Sequence, residues 1–203
     1  MSDFAPSALE RLIFRIQTGM DRELGGIELA KIVYLVDVEY CQFFGETFTG
    51  EEYIRAPRGP LARGFAVAVA RLSGHELIVF KEPGRTQWGK NCHRPGPSPR
   101  FSPDLDPTAE SIVTRVLRQV GPLSPVQVEQ VAYGTEPMQA ILAAEKADGP
   151  KTGQLLDMKL VTRSAAYLRW RANQDAVAEA DPEYEEFIRV ERMEVEHLLA
   201  SLG

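Results

Sequence analysis

The chain has 203 residues, 44% of them hydrophobic and 26% charged, with a formal net charge of −6. A fold of this size buries about 70% of its unfolded surface, so it needs no disulfide or metal staple. The two cysteines, Cys41 and Cys92, are too few for a disulfide scaffold or a four-cysteine zinc site. No apolar run reaches the ~18 residues of a membrane span, and Met1-Ser2-Asp3-Phe4 has no basic flank leading into an apolar core. The expectation is a soluble cytoplasmic protein with no membrane partner.

Pro6 to Thr18 reads as a first helix, with Ser7 as its cap and Leu9, Leu12, Ile13 and Ile16 at helical spacing. Gly19 and Gly25-Gly26 bracket a connection. A second helix runs from about Ile27 to Phe44 and stops at Gly45. It is apolar almost all round, which marks a central core helix. At about 100° per residue, Glu28, Lys31, Glu39 and Gln42 form one narrow strip, read here as its solvent edge. Asp37 projects opposite that strip, where an ionised carboxylate needs hydrogen-bond or charge partners. Either it pins a neighbouring loop to the helix or it acts as a general base with a raised pKa. The first reading is favoured, because no nucleophile or metal cluster accompanies it.

Thr47 to Arg63 reads as an extended, turned segment shaped by Pro57, Gly59 and Pro60 and packed over the second helix. Arg55 and Arg58 are the nearest candidate partners for Asp37. Leu61 to Leu72 resumes a helical pattern, and Glu76 to Phe80 is a short strand that Thr86-Gln87-Trp88 rejoins as a hairpin. Asn91 to Pro107, with five prolines and with Lys90, Arg94 and Arg100 nearby, reads as a loop or arm without regular structure. Helices follow at Thr108–Val120, from Ser124 with Pro125 at its first position, and from Pro137 to Asp148. Ser164 to Trp170 is compatible with a strand or a short helix. Pro182 to Leu202 is a long helix with an apolar stripe that includes Phe187, Ile188, Val195 and Leu198.

The charge is localised. Eight acidic residues between Glu179 and Glu196 face only Arg189 and Arg192, which accounts for the whole net charge. Residues 1–178 balance, so no basic footprint invites nucleic acid. The acidic end is a solvated face or engages a basic partner. The fold class is therefore mainly α (α+β): a compact helical domain over residues 1–171 with a small antiparallel β-hairpin. Residues 172–203 are read as a long acidic C-terminal helical extension that docks on its own domain or forms a homo-oligomer seam.

Catalytic signatures are sparse. His75, His93 and His197 form no HExxH or other ligand spacing, and there is no phosphate-binding glycine loop and no GxSxG. No metal and no cofactor are expected.

The run Lys31-Ile32-Val33-Tyr34-Leu35-Val36-Asp37, then Phe44-Gly45, Thr49-Gly50-Glu51-Glu52-Tyr53 and Pro57-Arg58-Gly59-Pro60, resembles the Panacea domain, the SocA-like antitoxin family of bacteria and phages. Leu123-Ser124-Pro125 also looks like the opening of a helix in the family's second half. Where relatives tend to carry Ser-His before an acidic-Pro pair, this chain has Ala132-Tyr133-Gly134-Thr135-Glu136-Pro137. The resemblance implies a mostly helical domain with a small β element, and a non-catalytic antitoxin that neutralises a protein toxin by direct binding. Tyr53, Arg55, Arg58, Gly59 and Pro60 are the candidate partner-binding residues, with Tyr34, Asp37 and Pro57 as the framework beneath them. The alternatives are a stand-alone, phage-derived interaction or regulatory protein without a toxin, and a small hydrolase using Asp37.

Overall fold

The computed structural model describes residues 5–81, 92–95, 102–164 and 168. Helix α1 (Ala8–Gly19) begins at a capping box: Ser7 accepts from the Glu10 amide, and the Glu10 carboxylate accepts from the Ser7 amide. Leu9, Leu12, Ile13 and Ile16 form its buried face. A two-residue strand β1 (Leu24–Gly25) leads directly into α2 (Gly26–Phe44), which ends at Gly45 in the left-handed conformation, φ 81°. Next come the hairpin β2 (Tyr53–Ala56) and β3 (Gly59–Ala62), helix α3 (Phe65–Gly74), and strands β4 (Ile78–Lys81) and β5 (Cys92–Pro95). Three further helices follow, α4 (Pro107–Val120), α5 (Pro125–Tyr133) and α6 (Glu136–Asp148), then a 3-10 turn at Met158–Leu160. The protein is mainly helical with small antiparallel sheets, as the periodicity predicts.

Helix α2 is the hub. It packs against α1, α4, α5, β1 and β3, and every residue from Glu28 to Val38 is buried. Side chains from its neighbours close on it from several sides, including Ile13 and Ile16 of α1, Val113 and Val116 of α4, and Val128 of α5. The strip expected to be wet is therefore covered. Glu28 is paired with Arg22 at 2.5 Å, Glu39 with Arg115 at 2.7 Å, and Lys31 reaches a backbone carbonyl. Glu28, Lys31 and Glu39 each have a partner from outside the helix, and Gln42 is half-buried.

Two other expectations are corrected. Residues 61 and 62 are not helical: Gly59–Ala62 pairs with Tyr53–Ala56 in the register Tyr53↔Ala62 to Ala56↔Gly59, and the helix starts only at Phe65. The residues 92–95, read as part of an irregular arm, form the central strand of a three-stranded antiparallel sheet of order β1-β5-β4. Cys-His-Arg-Pro has little intrinsic strand character, so this pairing is set by tertiary context. The strand expected at Thr86-Gln87-Trp88 and the acidic extension at 172–203 lie outside the described residues, as does most of 164–170. Among the described residues no helix is long and apolar enough to cross a membrane.

The far end of α2 is closed by residues distant in sequence. Arg163 donates to the Cys41 carbonyl at 2.6 Å and to the Gly45 carbonyl at 3.0 Å, and it lies 2.8 Å from the buried Cys41 sulfur. The Cys41 carbonyl also accepts from the Gly45 amide at 3.0 Å, so the guanidinium adds a second donor there and complements the negative end of the helix dipole.

Because Ile32 is fully buried at the centre of the hub, Ile32→Ala is expected to destabilise the fold by about 2–5 kcal/mol through lost transfer energy and a residual cavity. Urea unfolding followed by circular dichroism checks this. A loss below about 1 kcal/mol is expected only for a site near the surface.

Candidate functional site

Three side chains of α2, Lys31, Tyr34 and Asp37, each hold a different part of the polypeptide that follows. Their spacing of three residues steps them round the helix by about 60° at a time, so each faces a different neighbour.

Asp37 is fully buried. Its Oδ1 accepts from the Thr49 amide at 3.1 Å, and its Oδ2 accepts from the Tyr53 hydroxyl at 2.6 Å and from the Thr49 hydroxyl. The Thr49 hydroxyl in turn accepts from the Glu51 amide at 3.2 Å, and the Glu51 carboxylate accepts from the Gly64 amide at 2.8 Å, at the start of α3. A single carboxylate thus organises the chain from the end of α2 to the start of the next helix. Arg55 and Arg58, expected as its partners, are elsewhere. Neutral donors suffice because one hydroxyl and one threonine supply three hydrogen bonds to two oxygens. Burial pushes the Asp37 carboxyl up to about 6, and the Thr49 and Tyr53 bonds oppose that rise. Burial, and the Asp37 carboxylate beside it, push the Tyr53 hydroxyl well above its ordinary range.

Tyr34 packs edge-on against Tyr53, with ring centroids 5.0 Å apart and an angle of 66°. Its hydroxyl shares a 2.7 Å hydrogen bond with the Thr135 hydroxyl, which donates to the Ala132 carbonyl at 2.8 Å. The core helix is thereby tied to the α5–α6 junction. Burial raises the Tyr34 hydroxyl pKa.

Lys31 is buried, and its ammonium donates to the Arg58 carbonyl at the hairpin turn. Burial lowers its pKa. Gly59, at φ 107°, lies directly over it: a Cβ there would stand 2.8 Å from Cε2 of Tyr133 and 3.3 Å from Cε of Lys31. Glycine is required at this position both by its φ and by the close approach.

The five candidate partner-binding residues separate clearly. Tyr53, Gly59 and Pro60 are buried and belong to the framework. Arg55 is bound on the flank of the hairpin, pairing with Glu145 at 3.0 and 3.3 Å and lying 5.6 Å from the Tyr133 ring centroid. Its hydrogen bonds hold the Glu145 carboxyl below the ordinary range. Arg58 is exposed, and so is Pro57, which the sequence assigns to the framework. Lys31, Thr49, Thr135 and Glu145 complete the arrangement. The K-x-x-Y-x-x-D and T-G-x-x-Y patterns already mark the first two, whereas nothing local marks Thr135 or Glu145.

No family model matches the chain, and no curated protein or solved structure matches it either. Among the described residues no group of three His, Cys, Asp or Glu is placed to hold a metal ion.

The raised Asp37 pKa has a definite sign in stability. The native state binds this proton more tightly than the unfolded chain, so the contribution is full below about pH 4 and is lost as pH rises through about 6. Relative to Asp37→Asn, the wild type is therefore expected to gain stability on acidification from about pH 7 to about pH 5. Urea midpoints for both proteins across that range measure it, and parallel curves would refute it. Gly59→Ala is expected to destabilise by at least about 1–3 kcal/mol through left-handed strain and the Tyr133 approach. The same titration reads this, and an unchanged midpoint would contradict the required glycine.

Proposed function

We propose that this chain is an antitoxin-like protein that neutralises a partner toxin by direct protein–protein binding, using the outer surface of the β2–β3 hairpin. The observation that carries the reading is the hairpin's support. An exposed Pro57-Arg58 turn is braced from beneath by Lys31, held at its base through Tyr53 and Asp37, and clamped at its flank by the Arg55–Glu145 pair. A loop fixed by buried polar contacts loses little conformational entropy on binding, which favours recognition by a preformed surface. Arginine is also a preferred interface anchor.

The same geometry supports a non-catalytic role. Asp37 has both oxygens occupied by neighbouring donors and no exposed surface. A general base must reach a substrate proton directly or through one water, and this carboxylate is enclosed in packing. The net negative charge disfavours nucleic acid as the partner. No cofactor is invoked. A homo-oligomer through the acidic C-terminal helix involves residues outside those described, and the proposed interface does not use it.

The test is a pull-down from the native host with the intact chain, paired with co-expression of the captured protein. Wild type is expected to retain a specific partner and to rescue growth from it. Arg58→Glu is expected to lose both while keeping the wild-type melting temperature, because Arg58 is exposed and among the described residues it is held through its carbonyl. Capture of the same partner by Arg58→Glu at wild-type strength would sink the hairpin surface, and failure of co-expression to rescue growth would sink neutralisation.

A further inference from the structure

The segment after α6 returns alongside β2. The Arg55 amide donates to the Gln154 carbonyl at 2.8 Å, the Gly153 amide to the Arg55 carbonyl at 2.7 Å, and the Leu156 amide to the Tyr53 carbonyl at 2.8 Å. Gly153 and Gln154 together oppose Arg55, with Gly153 at φ 85°, which is a β-bulge with glycine at its left-handed position. Both edges of β2 are thereby paired, and the open edge of this small sheet moves out to Gln154–Leu156.

The register fixes what that edge offers. Ile54 and Leu155 stand opposite one another in an antiparallel bridge. The bonds made by Arg55 and Leu156 flank this pair, so it is of the non-hydrogen-bonded kind, in which each residue's own N–H and C=O point away from the other. Those of Ile54 turn toward β3, where it pairs with Leu61. Those of Leu155 turn outward and have no hydrogen-bond partner among the described residues. The Leu155 side chain is 46% exposed. An apolar residue with free main-chain groups on a strand edge is a template for strand addition.

Beside this edge opens a cleft of about 260 Å³ floored by Leu156. Its lining residues include the acids Glu46, Glu51, Glu52 and Asp157 and the base Lys159, with Arg63 paired to Glu52 and Arg163 bound to the Cys41 and Gly45 wall, so the acids outnumber the bases by one. Glu52 is tied only to Arg63, in a pair exposed to 58% and 56% respectively, which a stronger cation can displace. A cleft of this sign repels nucleic acid and acidic segments and attracts lysine or arginine. A helix cannot use the edge, because its interior N–H and C=O groups are already paired.

We propose that the Leu155 edge and its acidic cleft form the docking site for an extended, basic segment of a partner protein. The segment adds as an antiparallel strand, exchanges main-chain hydrogen bonds with Leu155, and places a lysine or arginine in the cleft. This rests on the protein-binding reading above and names a second contact region for the same partner.

The experiment is a nuclear magnetic resonance titration of the full-length, isotope-labelled protein with the capped peptide Val-Arg-Val-Lys-Val, and with its acidic analogue Val-Glu-Val-Asp-Val. The basic peptide is expected to cause saturable shifts centred on the Leu155 amide and the cleft residues, weakened by salt, with none from the analogue. Leu155→Pro removes the edge N–H without touching a bond the fold uses, and is expected to weaken the basic peptide about tenfold or more. Should that variant fail to fold, Glu52→Lys decides by weakening the basic peptide in the same way. Shifts elsewhere, equal shifts from both peptides, no shifts at millimolar peptide, or unaltered binding by the variants would each overturn the proposal. The two readings separate in the pull-down: a partner retained by Leu155→Pro but lost by Arg58→Glu leaves the hairpin interface standing and removes this edge.

Discussion

A carboxylate enclosed by apolar packing carries a large desolvation penalty, and at Asp37 that penalty is offset by three neutral donors from only two residues. The residual rise in its pKa shows that the offset is incomplete. What the fold gains is placement. Thr49 and Tyr53 fix the entry to the hairpin, Glu51 fixes the start of α3, and all of this is referred to one position on the most buried helix of the described residues. Removing the carboxyl group would leave the Tyr53 hydroxyl and the Thr49 amide without acceptors, so the consequence would extend well beyond one hydrogen bond.

Lys31 plays the complementary part at the hairpin turn. A buried ammonium held by a carbonyl is an expensive arrangement, yet it fixes the hairpin turn at which Pro57 and Arg58 are exposed. The requirement for Gly59 follows from the same packing, since Lys31 and Tyr133 approach the backbone from below. The K-x-x-Y-x-x-D pattern can therefore be understood as a set of anchors. Each residue grips a different part of the hairpin's surroundings, and what is presented to solvent is supplied by residues between the anchors.

Helices α1, α4 and α5 were legible in the sequence because their signals are local: a capping serine, a proline at the first turn, and apolar residues at helical spacing. The burial of Asp37 was legible for the same reason, since a wheel needs only one helix. Its partners are the hydroxyls of Thr-Gly-x-x-Tyr and not the nearby arginines that charge pairing alone suggests. The wet strip of α2 failed because Arg22, Arg115 and the Arg58 carbonyl approach from other elements, which periodicity cannot foresee. Strand β5 was missed because its identity comes from β1 and β4. Of the five residues expected to touch a partner, three are buried: Tyr53 and Pro60 share one face of the hairpin, and Gly59 lies at the turn where Lys31 and Tyr133 approach the backbone.

The guanidinium of Arg163 has a kinetic implication. It closes the C-terminal end of α2 across a sequence separation of 118 residues, from Gly45 to Arg163. Such a contact raises the contact order of the hub itself, and loop closure over that distance precedes any energetic return. During synthesis the most buried helix of the described residues is complete as a sequence long before the arginine that binds its last carbonyls has left the ribosome. Final consolidation of the core therefore waits for the emergence of Arg163, 118 residues after Gly45.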